Sequence, residues 1–156
     1  MLEFVHANLI NSGTLLLIME KKTFLWKEKV RIYDTDAQGV VHYAGYYRFF
    51  TDAFEQFSRS VLDSSFPILD GRTWFVVAES NAKYHRPSRL GDELHVHVSA
   101  EMPGPKAIKF IFRILVNEIL VCEGYIVQVA IDSKKWKAIR VPPHISRKIK
   151  KLGKKS

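Results

Sequence analysis

Hydrophobic and polar positions along this chain change period twice, and each change marks an element. Between Phe24 and Tyr33, Trp26, Val30 and Ile32 stand against Lys27, Lys29 and Arg31 in partial alternation, which predicts a half-buried strand. The strand is expected to stop at Asp34-Thr35-Asp36-Ala37-Gln38-Gly39, a run of turn-formers. From Tyr43 the period lengthens. Tyr43, Tyr47, Phe50, Phe54, Phe57 and Val61 recur every three or four residues, predicting a central, aromatic-faced helix to about Leu62. Arg48, Asp52, Glu55 and Arg59 fall largely off that stripe.

After Asp63-Ser64-Ser65-Phe66-Pro67 and a loop to Gly71, period two returns. Strands are expected at about 73–85, 93–102, 107–117 and 120–132. In the second of these, Leu94, Val96 and Val98 alternate with Glu93, His95, His97 and Ser99. A short strand over 136–141 and then a basic helix or tail after Pro142-Pro143 complete the pattern. One strand, one long helix and four or five consecutive antiparallel strands predict an α+β domain whose single sheet curls around one helix. Such a sheet leaves a second face and two edges, so at least a homodimer is expected, with dimer and tetramer both open.

Asp36 is the first candidate for chemistry. It sits in a turn between a strand and a helix start, seven residues ahead of Tyr43. Helix starts leave N–H groups free and carry partial positive charge, so a carbonyl held there would have its developing oxyanion stabilised. A carboxylate facing the same point could attack the carbonyl carbon or activate water. Gly39 would let the backbone bend close to a ligand. The residues alone leave a second explanation open, since an Asp-x-Asp turn also serves as a local cap.

Tyr33-Asp34-Thr35-Asp36-Ala37-Gln38-Gly39-Val40-Val41-His42-Tyr43, continuing to Tyr46-Tyr47-Arg48-Phe49-Phe50, resembles the signature segment of hotdog-fold acyl-CoA thioesterases of the 4-hydroxybenzoyl-CoA thioesterase type. The bacterial Tol-Pal-associated thioesterases share it. The resemblance runs from about Trp26 to Val141 and includes Phe75-Val76-Val77 and the stretch from Tyr84-His85-Arg86-Pro87 to Leu94. It implies a hotdog fold, a long central helix wrapped by a curved antiparallel sheet. It implies that the chain is an enzyme that hydrolyses an acyl-CoA thioester to free acid and coenzyme A. Asp36 would be the catalytic carboxylate, the backbone N–H of Tyr43 the carbonyl-polarising donor, and Gly39 the turn glycine. Some bacterial members carry histidine seven positions after the catalytic acid. Here that position is Tyr43 and the histidine is His42, so a backbone role carries over and a side-chain histidine role does not; His42 stands as a neighbour of the substrate.

The phosphates of coenzyme A call for basic residues at the site mouth. Lys83, Arg86 and Arg89 around one strand connection are the first candidates for binding substrate, and Lys134, Lys135 and Lys137 form a second group. No cofactor is implied, coenzyme A being part of the substrate, and no metal: His95-x-His97 has no evident third ligand. Cys122, within an apolar strand, reads as a buried small residue. The rival readings are a noncatalytic acyl-binding hotdog module and a basic-tailed nucleic-acid-binding protein.

Composition narrows these. The 156 residues, 47% hydrophobic and 26% charged, suit one domain and exclude general disorder. A single cysteine excludes an intramolecular disulfide framework. The formal charge of +8 would favour a nucleic-acid partner, yet Arg147, Lys148, Lys150, Lys151, Lys154 and Lys155 supply six of these charges with no acid among the last ten residues. Nucleic acid is therefore not the expected partner of the domain, and the end reads first as a solvated terminus and second as an arm for nucleic acid or an acidic partner. No apolar run reaches the roughly 18–20 residues of a membrane span. Residues 1–22 read as an N-terminal extension without the basic start of a secretory signal, either packed on the body or lying upstream of a true start at Met19. The expected organisation is extension 1–22, hotdog domain 23–145 and basic tail 146–156, in the cytoplasm.

Overall fold

Strand β1 (Phe24–Lys29) alternates half-buried and exposed residues, as its period requires. The computed structural model describes residues 23–154, so the expected extension at 1–22 lies outside the described residues. β1 is shorter than its apolar character predicts. Val30 leaves the ladder, donating its N–H to Asp92 O at 2.9 Å and accepting from Gly91 at 3.0 Å. The Asp34 carboxylate then takes the N–H of Arg31 at 2.7 Å, and Ile32–Asp34 closes into a 3-10 turn. A side-chain cap has outcompeted the sheet. Ile32 and Tyr33 are left exposed.

The long helix covers its expected span in three continuous parts. A 3-10 turn (Tyr43–Gly45) leads into α1 (Tyr46–Phe57), and a π-helical turn (Ser58–Leu62) ends it. Its covered face is wider than the predicted stripe and rotated from it. Tyr46, Phe49, Phe50, Ala53, Phe54, Phe57 and Leu62 are buried, whereas Tyr43 is 68% exposed. The sheet wraps this helix on more than one side, so positions one step off the stripe are also enclosed.

The sheet follows as β2 (Thr73–Tyr84), β3 (Glu93–Gly104), β4 (Ala107–Val116), β5 (Ile119–Asp132) and β6 (Lys137–Ala138). All pairings are antiparallel, in spatial order β1-β3-β4-β5-β2, with β6 beside β5. Phe110 and Phe112 of β4 meet α1 directly: Phe112 stacks on Phe50 with centroids 4.6 Å apart, and Phe110 meets Phe54 edge-on at 4.8 Å. Gly124 of β5, paired with Phe112 and Ala82, is what lets the helix come this close. A Cβ there would overlap the carbonyl oxygen of Asn81 and press on the Phe50 ring at 3.0 Å. β2 is an outer strand and bulges between Val77 and Glu79.

After β6 the chain forms α2 (Pro143–Leu152), which runs across the expected tail boundary at 145/146. Ile145 and Ile149 are buried in the core, and Lys148 Nζ donates to Leu62 O at 2.9 Å. The basic segment is thus an amphipathic helix closing the end of the core; only its outer face is charged. Among the described residues, no helix is long and apolar enough to cross a membrane.

Two outcomes follow from this packing. Gly124→Ala should destabilise the fold by about 2 kcal/mol or more, the scale of overpacking a closed core, as read by denaturant unfolding. The second concerns Asp132 at the end of β5, which accepts from Arg72 Nε at 2.8 Å and from the N–H groups of Lys134 and Lys135 at 3.0 Å each. These hydrogen bonds, the Arg72 guanidinium first, hold its carboxyl down at about 2, from an ordinary 3.8. A carboxyl depressed by folding stabilises above its ordinary value and loses that stabilisation as pH falls through its folded value. Asp132→Asn should therefore flatten the fall of Tm between about pH 4 and pH 2.

Candidate active site

The segment between β1 and the helix folds back on itself as a two-rung hairpin. Asp36 N–H donates to Val40 O at 2.9 Å, and His42 N–H to Asp34 O at 3.0 Å, with Thr35 bridged to Val41 between them. The turn at its tip closes through Gly39 N–H to Asp36 O at 3.0 Å, and Gln38 N–H to Asp36 Oδ1 at 2.8 Å. Gly39 sits at φ +72, a left-handed conformation that glycine adopts without steric cost. One carboxylate oxygen of half-buried Asp36 is thus engaged in an Asx-turn, and no hydrogen bond engages Oδ2 among the described residues.

The two acids of the Asp-x-Asp pair have different surroundings. Asp34 points inward with its side chain 2% exposed. Arg48, one turn into the helix, grips it with a fork: Nε to Oδ1 at 2.8 Å and Nη2 to Oδ2 at 2.9 Å. The remaining guanidinium nitrogen donates to Asp52 Oδ2 at 2.7 Å. Burial raises the Asp52 carboxyl against the opposing pull of Arg48.

The helix start is capped by a side chain. His42 accepts the Ala44 N–H through Nδ1 at 3.1 Å, and its carbonyl takes the Gly45 N–H at 2.7 Å. The accepting Nδ1 leaves the proton of the neutral ring on Nε2. The N–H of Tyr43, first in the turn, has no acceptor among the described residues. From the other side, the Tyr84 hydroxyl at the end of β2 donates to Tyr43 O at 2.8 Å. A third segment is locked to these. Buried Tyr46 donates to Ser88 Oγ and accepts Ser88 N–H, both at 3.2 Å, while Val41 N–H reaches Ser88 O at 2.8 Å. Burial pushes the Tyr46 hydroxyl above its ordinary pKa.

The expected residues separate on this frame. Asp36, Gly39, His42 and Tyr43 share one turn and helix start. Arg89 joins them through a bridge to Val40, and half-buried Arg86 precedes it in the same connection. Lys83 does not join them: adjacent residues of a strand face opposite ways, so Lys83 lies on the sheet face turned away from the Tyr84 hydroxyl. There, with Asn81, Ile111, Glu123 and Tyr125, it borders a shallow depression of about 210 Å³. Lys134, Lys135 and Lys137 adjoin the Thr73 end of β2, the whole strand away from Tyr84 within one protomer, about 36 Å at the usual rise. Arg48, Tyr46, Ser88 and Tyr84 are the site's supports that the pattern of the sequence did not single out for a role. Cys122 is fully buried, and burial pushes its thiol up to about 12, so it remains protonated. His95 lies against Glu93 at 2.7 Å and His97 against the Thr23 hydroxyl at 3.1 Å. No group of three metal-binding side chains forms among the described residues.

A carboxylate oxygen and a helix-start N–H, both unengaged among the described residues and carried by one hairpin, are groups that could attack, or direct water at, a carbonyl whose oxygen the N–H holds. Comparison with known proteins gives this geometry a family. Residues 30–149 match the thioesterase-like superfamily. The acyl-CoA thioester hydrolase YbgC of Escherichia coli is 30% identical over 85% of this chain and 99% of its own length. A 1,4-dihydroxy-2-naphthoyl-CoA hydrolase of Synechococcus is 30% identical over 77% of this chain and 84% of its own. Among solved structures, the 1,4-dihydroxy-2-naphthoyl-CoA thioesterase of Synechocystis superposes with a TM-score of 0.74 at 20% identity, covering 83% of this chain and 97% of that one. A Staphylococcus aureus protein in complex with CoA does so with 0.74 at 17% identity, covering 86% of each chain. At these identities the two structures attest the shared hotdog fold.

His42→Ala removes the acceptor for the Ala44 N–H and should cost about 1 kcal/mol in denaturant unfolding, the usual worth of a helix cap. His42→Asn, whose short side chain caps equally well, should recover most of it.

Proposed function

Since this chain belongs to the thioesterase-like superfamily, we propose that it hydrolyses an acyl-CoA to a free carboxylic acid and coenzyme A, with Asp36 as nucleophile or general base and the N–H of Tyr43 as oxyanion donor. The observation that carries the reading is the two-rung hairpin, which ties the Asp36 turn to the helix start while Asp36 Oδ2 and the Tyr43 N–H have no partner among the described residues. The names of its relatives support the thioester chemistry.

Thioesters suit so small an apparatus. The carbon–sulfur bond breaks to a stable thiolate, so no strong acid has to protonate the leaving group. If Asp36 is the base, it takes a proton from water as the hydroxyl adds to the carbonyl carbon; the tetrahedral oxyanion rests on the Tyr43 N–H, and collapse expels the thiolate of coenzyme A. If Asp36 is the nucleophile, its oxygen adds first, the thiolate leaves, and water then cleaves the mixed anhydride. Both routes use the same oxyanion donor, worth several kcal/mol in a closed site. In this reading Arg86 and Arg89, on the connection bridged to the turn, meet the phosphates of coenzyme A. His42 acts through its cap, next to the substrate carbonyl and not upon it.

The working unit is a homo-oligomer. Among the described residues, β2 has a strand beside it on one side only; the 67–69 segment bridges its other edge at Trp74, and beyond that bridge the stretch from Val77 to Ser80 is exposed. An unpaired edge of this length invites a second copy. The partner would complete the cleft above Tyr43 and Tyr84. The catalytic groups lie within residues 23–145, with α2 closing the core across that boundary, and an acyl-CoA substrate fits a cytoplasmic location.

Free-thiol release from a panel of aromatic, short and long acyl-CoAs tests the reading. At least one class should be turned over, and Asp36→Asn should lose about 100-fold or more in kcat. Turnover of none of the panel would falsify the enzyme; full activity in Asp36→Asn would remove Asp36 from its role. Light scattering should return two or four times the chain mass.

A further inference from the structure

The fork between Arg48 and Asp34 is a costly device for a domain of this size. Asp34 is almost entirely enclosed, and taking a carboxylate out of water carries a penalty that an ion pair only partly returns. Apolar residues of similar volume commonly serve stability as well or better. The pair therefore calls for an explanation other than stability, and its position supplies one.

Asp34 is the first residue of the hairpin that presents Asp36. Its carboxylate takes the Arg31 N–H at 2.7 Å on the incoming side, and its carbonyl takes the His42 N–H at 3.0 Å on the outgoing side. His42 is followed directly by Tyr43. One residue thus holds both ends of the segment whose tip carries Asp36 and whose exit is the helix start. Arg48 anchors that residue to the helix itself. Two parallel N–H···O bonds from a planar guanidinium fix orientation as well as distance, which a single point charge cannot do. The guanidinium is restrained in turn by Asp52 at 2.7 Å and by the Phe49 ring, over which it lies at 4.4 Å.

We infer that Arg48 and Asp34 are positioning residues: their fork sets the placement of the Asp36 carboxylate relative to the Tyr43 N–H. The inference rests on the role proposed above for Asp36. Neither side chain touches the substrate; each acts through the hairpin. The fork also pairs the charge of Asp34, two residues from Asp36, with a cation.

The test compares Arg48→Lys, Arg48→Gln and the paired Asp34→Asn/Arg48→Gln variant with wild type and Asp36→Asn. Kinetics are read on the best acyl-CoA of the panel, and binding on a non-hydrolysable acyl-CoA thioether by calorimetry. A positioning role predicts that kcat falls about tenfold or more in Arg48→Lys, because lysine keeps the charge and loses the fork. The number of thioether sites per chain and their Kd should stay within twofold of wild type. Partial unfolding would instead reduce the number of sites in step with kcat, and that result would overturn the inference, as would wild-type kcat in Arg48→Lys. Should either single variant fail to fold, the paired variant removes both charges together and should show the same loss of kcat at unchanged site number. Wild-type kcat in the paired variant would equally overturn it. Asp36→Asn separates the two readings. An inactive Asp36→Asn beside fully active Arg48 variants sinks this inference alone, whereas an active Asp36→Asn sinks the proposed site.

Discussion

The rest of the molecule depends on how closely one aromatic helix face can approach a curled sheet. Phe50, Phe54 and Phe57 are buried against Phe110 and Phe112, each ring worth roughly 1.5–3 kcal/mol on removal from water. The approach depends on Gly124, where the absence of a side chain admits the Phe50 ring. With the helix held there, its start faces the hairpin and the 85–92 connection, and every polar contact of the site follows. Tyr84 can reach Tyr43, Tyr46 can reach Ser88, and Arg48 can reach Asp34, because the core has already fixed the three segments to within hydrogen-bond range. The aromatic packing thereby supplies the preorganisation that the candidate chemistry needs.

Much of this was legible in the residues. A period of three or four from Tyr43 to Val61 gives the helix, and alternation gives β2 to β5 within one or two residues of their ends, because burial repeats at intervals that local order records. What escaped lies in contacts between residues far apart in sequence. β1 ends early because Asp34 finds Arg31 and Arg48, and no periodicity encodes a fork spanning fourteen positions. The stripe containing Tyr43 was correct in period and off in phase, since period alone does not say which arc of a helix its surroundings enclose. Lys83 is a matter of parity: its neighbour Tyr84 faces the helix start, so Lys83 faces away, and the exact register was needed to know it.

At the candidate site the sequence singled out Asp36 of the two acids and left a local Asp-x-Asp cap as the other explanation. Separation comes from the environment. The acid with a guanidinium fork and almost no exposure is a fastening, and the acid whose outer oxygen is unengaged among the described residues is the reactive candidate. The same division accounts for the histidine, which meets the site as a cap through Nδ1 and not as a ring aimed at a carbonyl. Neither distinction can be drawn from residue types, because Asp34 and Asp36 share type, turn and neighbourhood and differ only in what the fold brings to them.

α2 carries the last consequence. Its buried isoleucines and its exposed lysines and arginine alternate around ten residues, so charge and closure of the core are written on the same short segment. Truncating it to neutralise the molecule would also unplug the end of the core and release the Lys148 tether at Leu62. The electrostatic character of this terminus is thus separable from its mechanical role only one side chain at a time. Surface charge here can be changed residue by residue while the helix itself still closes the core.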